Sequence, residues 1–328
     1  MAYQHLSLDE RERISQLRFS GVLPAAIARK LGRDKSTLSR ELRRNGEAGA
    51  YLAGQAQTHA EERRREAPRP RRLDHPPLSA YVRQKLEQYW SPEQIAGRLK
   101  VDFPDDSLMR VSHETLYRHV REDRAQGGAL YACLRQGRKR HRKRYGRKEL
   151  RGQIPGRVGI EERPVVVARR ARFGDWESDT LRGGGKSGGL ATHVERKSRF
   201  TLLGRLPDGS TASFNRAAER TLGKLPATLR RTATVDNGKE FAGFRRLEER
   251  LGLRVYFARP YHAWERGLCE NTNGLLRQFF PKGMDLRRVP RRTLDRVGAL
   301  LNNRPRKGLG YRTPLEVLRR SRAVALQT

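Results

Sequence analysis

Three short segments in the second half of the chain carry carboxylates that could act together. They are F-G-D-W-E-S-D-T-L at 173–181, T-V-D-N-G at 234–238 and W-E-R-G-L-C-E-N-T-N-G at 264–274. Carboxylates bind hard divalent cations, and two such cations about 3.5–4 Å apart can hold the entering and leaving oxygens of a phosphoryl transfer. Water or a substrate hydroxyl is then the nucleophile, so no nucleophilic side chain is needed. The segments therefore suggest metal-dependent phosphoryl transfer.

The first segment has the pattern of a β-strand. Asp175, Glu177 and Asp179 share one face by the two-residue period of a strand, and a Gly-rich turn, R-G-G-G-K-S-G-G, follows at 182–189. Because all three acids have the same parity, spacing alone does not choose the metal ligand among them.

The other two segments predict a second strand and a helix. The strand, at 232–235, ends in Asp236 at an Asn-Gly turn. The helix has Leu268 and Leu275 on an apolar stripe and Glu270 on the opposite side. Neither signal is specific by itself, since Asp-Asn-Gly usually marks a plain turn and a Glu opposite an apolar stripe is usually a solvated residue.

Longer words around these acids carry a family resemblance. They are G-D-W-E-S-D-T, T-V-D-N-G-K-E-F, Y-H-A-W-E-R-G-L-C-E-N-T-N-G-L-L-R-Q-F-F-P-K-G and L-N-N-R-P-R-K-G-L-G-Y-R-T-P-L-E-V-L. Together they closely resemble transposases of the insertion-sequence-30 family, across nearly the whole chain. The resemblance implies an acidic triad of Asp179, Asp236 and Glu270, with 33 residues between the last two as in the family. Ser178 stands where the family word W-E-G-D has Gly, and Asp175 remains an alternative first carboxylate.

The same resemblance implies a fold, a reaction and partners. The core is expected to have a retroviral-integrase or ribonuclease-H fold, with two Mg²⁺ ions, for which Mn²⁺ would substitute. The reaction would be cleavage and transfer of DNA strands at the terminal inverted repeats of an insertion element, into target DNA. Since two element ends must be paired, at least a homodimer is expected on DNA.

Composition supports a polyanionic partner independently of the family. The chain has 328 residues and a formal charge of +35, from 71 Lys and Arg against 36 Asp and Glu, which favours salt-sensitive binding to nucleic acid. No apolar run approaches the roughly 20 residues of a membrane-spanning helix, and no signal-peptide pattern is seen. The two cysteines, Cys133 and Cys269, give neither a zinc quartet nor a disulfide framework. We therefore expect a cytoplasmic, nucleoid-associated protein without membrane attachment.

Residues 5–45 predict a helix-turn-helix. Ser7 precedes an acidic first turn as a helix cap, and Gly32 ends the second helix. The last helix has Leu38 and Leu42 inward and a polar face of hydroxyls and cations typical of a recognition helix. An alternative is a charged helical hairpin that packs on another domain. The residues of this face expected to contact DNA are Lys35, Ser36, Ser39, Arg40 and Arg43.

A second helix-turn-helix-like unit is predicted at 79–125, after a Pro-rich charged linker at 49–78. Ser91 and Ser112 are placed as helix caps, the first followed by Pro92. The outward residues of the second helix, expected at DNA, are His113, Thr115 and Arg118.

A basic segment follows at 126–160. Eleven Lys and Arg occur from Arg135 to Arg157, with Glu149 as the one acid. No apolar period is present, so we expect either a solvated linker or an arm that follows the phosphate backbone. The residues expected to contact phosphate are Arg138, Lys139, Arg140, Arg142, Lys143 and Arg144.

The region 161–320 is predicted to be the catalytic domain, with a tail at 321–328. Strands are expected from residue 161, beginning with P-V-V-V-A, first as a meander and then alternating with helices. The fold class is therefore multidomain: two all-α helix-turn-helix units and an α/β ribonuclease-H-like domain with a mixed sheet. Further residues expected at DNA are Asn273 and Arg277, and DNA contact or a buried polar cap is expected for Asn302, Asn303, Arg304 and Arg306.

Two other functions remain compatible with this sequence. One is a helix-turn-helix regulator whose carboxylates are structural, and the other is a ribonuclease-H-like nuclease without strand transfer. A regulator would not need a basic mixed domain of 160 residues with acids at these places. The nuclease shares the catalytic site, so only the two amino-terminal units and the family resemblance separate it from a transposase.

The basic segment yields a first prediction. Changing Arg138, Lys139, Arg140 and Lys143 to Gln should lower the slope of log K against log salt by roughly 0.9 for each lost phosphate contact. Binding to repeat and to random DNA should weaken equally, because phosphates carry no sequence information. Fluorescence anisotropy titrations across salt concentrations would measure both slopes. Weakening on the repeat alone would show that the segment reads bases.

Overall fold

A computed structural model describes residues 5–47, 50–66, 71–135, 154–184, 188–260 and 262–325. The chain forms two compact units, Met1–Arg71 and Arg72–Thr328. In the described residues, no helix is long and apolar enough to cross a membrane.

The first unit is a small helical domain whose predicted capping is confirmed. The Ser7 hydroxyl accepts from Glu10 N at 3.2 Å while the Glu10 carboxylate accepts from Ser7 N at 2.8 Å, a capping box. Gly32 adopts a φ of +63° just after the second helix. The elements are α1 Leu8–Phe19, α2 Pro24–Lys30, α3 Lys35–Asn45, β1 Gly46–Glu47, β2 Ala50–Tyr51 and α4 Ala53–Glu66.

A buried charge network ties these elements together. Arg11 of α1 donates to Glu41 of α3 at 2.8 Å, and the Tyr51 hydroxyl donates to the same carboxylate at 2.9 Å. Arg11 also donates to Gln57 of α4 at 2.6 Å. A buried pair is tolerated when its remaining donors and acceptors are satisfied, so this network fixes α3 against α1 and α4.

The structure differs from the linker predicted at 49–78. Helix α4 lies inside that segment, and its Ala56 is buried in the apolar core of the first unit. Ala, Gln, Glu and Arg are good helix formers, and their propensity outweighs the charge that suggested an extended chain. The prolines act later, and Pro76 begins the next helix at its first turn.

The second unit begins with the predicted second helix-turn-helix-like fold. Ser91 forms a capping box with Gln94, and the Ser112 hydroxyl accepts from Thr115 N at 3.1 Å. Its helices are α5 Pro76–Glu87, α6 Pro92–Asp102 and α7 His113–Ala125.

This helical part packs on the carboxyl-terminal end of the same unit. Arg98 of α6 forms a bidentate pair with Glu316, at 2.6 and 2.7 Å, and Tyr89 packs edge-on against Phe279 at 4.9 Å between ring centroids. The ring of Tyr311 lies directly against Gly97. The absence of a side chain at Gly97 is therefore what allows this close approach.

The remainder of the unit is built on one mixed sheet, as predicted. The strand order is β5-β4-β3-β6-β7, with β5, β4 and β3 mutually antiparallel and β3, β6 and β7 parallel. The strands are β3 Asp175–Arg182, β4 Gly189–Glu195, β5 Thr201–Leu206, β6 Thr232–Val235 and β7 Arg254–Phe257.

Helices cover both faces of the sheet and complete two apolar cores. One core contains Trp176 and Phe214 with the residues of α9 and α10, and the other contains Leu276 and Leu301 from α11 and α12. The helices are α8 Val165–Ala168, α9 Thr211–Leu222, α10 Phe244–Leu251, α11 Gly267–Leu276, α12 Arg291–Asn302 and α13 Pro314–Ala325. Helix α13 extends into the segment predicted as a tail.

The prediction that P-V-V-V-A begins the strands is wrong. Val165–Ala168 is the short helix α8, which starts after Pro164 and buries Val167. Three successive valines favour a strand locally, but tertiary packing of one side chain decides the conformation of such a short segment. The helix after β6 begins at Phe244, after a 3₁₀ turn at Lys239–Phe241.

The contact at Gly97 can be tested by adding one methyl group. Gly97→Ala should lower the free energy of unfolding by about 1–3 kcal/mol, because the Tyr311 ring must shift. Gly298→Ala is a matched control in α12, since a Cβ there meets nothing within 4 Å, and should raise it by about 0.4–1 kcal/mol. Urea unfolding would measure both. Equal effects at the two positions would contradict the proposed packing.

Candidate active site

Parallel pairing of β3 with β6 brings two of the predicted carboxylates together. The strands are in register with Asp175 opposite Thr232 and Glu177 opposite Thr234. Extending that register by two residues places Asp179 beside Asp236, which directly follows β6. The site therefore lies where the carboxyl end of β6 meets the middle of β3.

Arg266 bridges the two aspartates. Its guanidinium lies 3.3 Å from Asp179 Oδ1 and 3.1 Å from Asp236 Oδ2, and its side chain is 10% exposed. Two carboxylates this close repel each other, and a shared cation offsets the repulsion. Arg266 was not among the site residues predicted from the sequence, although its place between two glutamates in W-E-R-G-L-C-E is a usable signal.

Asp179 is the more enclosed of the pair. It accepts from Thr180 N at 2.8 Å and from Asn273 Nδ2 at 2.9 Å, and its side chain is 17% exposed against 38% for Asp236. Burial raises the pKa of Asp179, Arg266 opposes that rise, and the neighbouring Asp236 adds to it. A cation that approaches such a carboxyl stabilises its charged form.

Glu177 attaches the third segment to the same strand. Its Oε2 accepts from Leu268 N at 3.0 Å and Cys269 N at 3.1 Å, at the start of α11, and Oε1 pairs with the buried Arg196. A carboxylate is favoured at a helix N-terminus, where amide donors lack helical partners. Strand β3 thus carries Asp179 and also holds the helix that carries Glu270.

Glu270 lies in the first turn of α11, with its side chain exposed. Within the described part of the chain, no three Asp, Glu, His or Cys side chains are grouped closely enough to hold one metal ion. The structure therefore joins Asp179 and Asp236 and leaves Glu270 outside their cluster. The three candidate ligands are carboxylates, whose oxygens are the ligands preferred by Mg²⁺. Two of these carboxylates, Asp179 and Asp236, already share the Arg266 guanidinium.

Asp175, the alternative first carboxylate, has different surroundings. It is 1% exposed, pairs with Arg172 at 3.0 Å and accepts from the Thr232 hydroxyl at 2.8 Å. Since its oxygens already have these partners, it acts as a structural link between β3 and β6.

The predicted recognition face is exposed as expected. All five residues of α3 chosen from the sequence are exposed, while Leu38 is buried and Leu42 half-buried. In α7, His113 and Arg118 are exposed, and the Thr115 hydroxyl lies 2.9 Å from that of Ser112. The six basic residues predicted at 138–144 lie outside the described residues.

Other residues predicted at DNA have partners within the protein. Asn273 donates to Asp179, as above, and Arg277 donates to Arg182 O at 2.8 Å. Asn302 exchanges two hydrogen bonds with the Thr201 backbone, each within 2.9 Å. For Asn302 the structure favours the buried cap over DNA contact, whereas Asn303 is exposed.

The chain is similar in sequence to a helix-turn-helix family and to known transposases. Residues 2–45 match a family described as a helix-turn-helix domain. A transposase for the element IS1086 of Cupriavidus metallidurans is 44% identical, covering 96% of this chain and 94% of that protein. A transposase for IS4351 of Bacteroides fragilis is 39% identical over 95% of each.

Two further similarities concern the Escherichia coli element and a solved structure. Transposase InsI of element IS30A from E. coli K12 is 38% identical, covering 98% of this chain and 85% of that protein. A crystal structure of the catalytic core domain of BIV integrase aligns with 47% of this chain and 98% of its own, at 19% identity and a TM-score of 0.36. The full-length relatives establish that the chain belongs to the insertion-sequence-30 family of transposases.

Proposed function

We propose that this transposase cleaves the ends of its insertion element and transfers the strands to target DNA with the help of divalent metal. The observation that carries the proposal is the convergence of Asp179 and Asp236 on the Arg266 guanidinium. Glu270, outside this cluster in the structure, would complete the set from a helix that Glu177 ties to β3.

Each side chain then has a distinct role. Asp179, Asp236 and Glu270 would hold two Mg²⁺ ions, or Mn²⁺ in their place, which would act as Lewis acids toward the entering and leaving oxygens. Asn273 orients the Asp179 carboxylate through its amide. Arg266 offsets the repulsion between the two neighbouring aspartates, because its guanidinium pairs with both.

DNA recognition is assigned to the helical parts of the chain. The exposed face of α3 would enter a major groove of the terminal inverted repeat, with α7 making a second contact. Pairing of two element ends would require at least a homodimer, working in the bacterial cytoplasm on the nucleoid. The excess of positive charge supports such a role, because it steers the protein toward nucleic acid.

The first test concerns sequence recognition by α3. Arg40→Ala should lose about 1–3 kcal/mol of binding to the repeat and relax specificity at one base, as expected for a lost bidentate contact to guanine. Arg29→Ala, at an exposed arginine of α2, serves as the control and should affect repeat and random DNA alike. Competition gel shifts would decide. An unchanged preference of the Arg40 variant for the repeat would refute the assignment.

The second test concerns the catalytic carboxylates. Asp179→Asn, Asp236→Asn and Glu270→Gln should keep DNA binding and lower strand transfer by at least about a hundredfold, because the charge that develops on the reacting oxygens is no longer stabilised. Asp175→Asn should lower stability, since it weakens the pair with Arg172, while retaining far more activity.

Labelled element ends incubated with plasmid and Mg²⁺ would measure joined product for all four variants. Calcium in place of magnesium is the control that permits binding. Cleaved ends without joined product in the unmodified protein would indicate a nuclease. Full activity of the Glu270→Gln variant would contradict the site as drawn.

A further inference from the structure

Four arginines of the second unit, beyond the candidate catalytic carboxylates, lie close enough for their charges to interact, with Arg304, Arg199 and Arg135 all acting on Arg306. Arg135 ends the helical part, Arg199 lies in the turn between β4 and β5, and Arg304 and Arg306 follow α12. None of the four takes part in any ion pair among the residues that the structure describes. The basic cluster, defined by these four arginines, therefore holds positive charge without a carboxylate to balance it.

Two members of the basic cluster are buried with donors that have no partner. Arg304 is 2% exposed and its Nε and Nη2 make no hydrogen bond in the described structure, and Arg306 is 8% exposed with an unpaired Nε. Buried polar groups are nearly always hydrogen-bonded, and leaving a charged one unpaired is costly. Three unpaired donors on two adjacent guanidinium groups indicate a missing acceptor.

A purely structural role explains only part of this arrangement. Arg306 Nη2 donates to Leu301 O at 3.3 Å near the end of α12, and the Arg304 guanidinium lies 6.0 Å from the Phe279 ring centroid. Cations are favoured at a helix C-terminus and over aromatic rings. Neither contact pairs the remaining N–H groups, and neither explains why the charges are grouped.

The charges also act against one another. Burial first, and then the charges of Arg304, Arg199 and Arg135, together lower the pKa of Arg306 to about 9. Arginine nevertheless remains protonated at neutral pH, so the repulsion persists until an anion offsets it. Arg199 has a left-handed backbone, with φ of +62°, a conformation uncommon for a residue with a side chain.

The basic cluster borders the helix of the candidate catalytic site. The Arg135 guanidinium lies against Gly274 of α11, and Gln278 donates to Cys133 O at 2.9 Å. Gly274 is four residues beyond Glu270, or about 6 Å along a helix. A DNA strand with one phosphate at the carboxylates would therefore bring a neighbouring phosphate toward the cluster.

We propose that the basic cluster is a binding site for a phosphodiester group of DNA, formed by Arg135, Arg199, Arg304 and Arg306. A carboxylate of a second copy of the chain is the other acceptor of suitable chemistry. DNA is favoured because the chain carries a net charge of +35 and continues from Arg135 into its most basic segment. In this role the basic cluster positions the DNA strand that enters the active site. The inference rests on the proposed function only because it takes DNA as the ligand.

The test separates a ligand site from a structural one by the sign of the stability change. Arg306→Met and Arg304→Met are prepared in the full-length protein, with Arg98→Met as a matched control whose arginine is paired with Glu316. Thermal unfolding is followed in chelator, alone and with inorganic phosphate or a short random duplex. Because no chemistry runs in chelator, the outcome does not depend on whether strand transfer occurs.

We expect the Arg306 and Arg304 variants to melt at or above the temperature of the unmodified protein when no DNA is present. Their gain in melting temperature on adding duplex or phosphate should shrink, and the salt slope of duplex binding should fall by about 0.9. Arg98→Met should instead melt lower and keep both the gain and the slope.

Three results would overturn the proposal. Lower melting of both cluster variants with an unchanged salt slope, or their failure to fold, would show that the arginines are structural. The third result is a melting temperature that rises with protein concentration only in the unmodified protein and does not respond to phosphate or DNA. It would show that the missing acceptor belongs to a second copy.

Discussion

The buried carboxylate of Glu177 is the interaction on which the candidate active site depends. Removing a carboxylate from water is costly, and burial raises the pKa of Glu177, whereas Arg196 and the amides of Leu268 and Cys269 oppose that rise. These partners come from β4's end and from α11, so the ionised carboxylate holds the elements in one arrangement. Losing it would leave helix-end amides and a buried guanidinium without their acceptor.

Negative and positive side chains of the second unit differ in how far their charges are paired. Asp179, Asp236 and Glu177 each accept from nearby donors, and Arg266 pairs with both aspartates. In the basic cluster, by contrast, Arg304 and Arg306 have unpaired donor nitrogens within the described part of the structure. The proposed cation site and the proposed anion site therefore lie at opposite ends of α11, whose first turn carries Glu270 and whose third turn lies beside Arg135.

Local patterns predicted the strands and the pair of aspartates but not the residues that position them. Asp236 follows a short strand with an Asn-Gly turn, a signal contained in five residues. Glu177 looked like another metal ligand because it shares parity with Asp179, while its amide partners lie 91 and 92 residues away. Val165–Ala168 and Ala53–Glu66 were mispredicted because packing in one case, and helix propensity in the other, outweighed the signals that were weighed. The fold class was readable from the sequence, whereas long-range contacts were not.

The packing of the second helical part against α13 has a consequence for the distance along DNA between the bases that the enzyme would recognise and the bond that it would cut. Gly97, Arg98 and Tyr311 pack that part against the carboxyl-terminal part of the same unit, so bases contacted by α7 would lie at a fixed number of steps from the reacting phosphate. Insertions or deletions between the α7 half-site and the cut would then be forbidden.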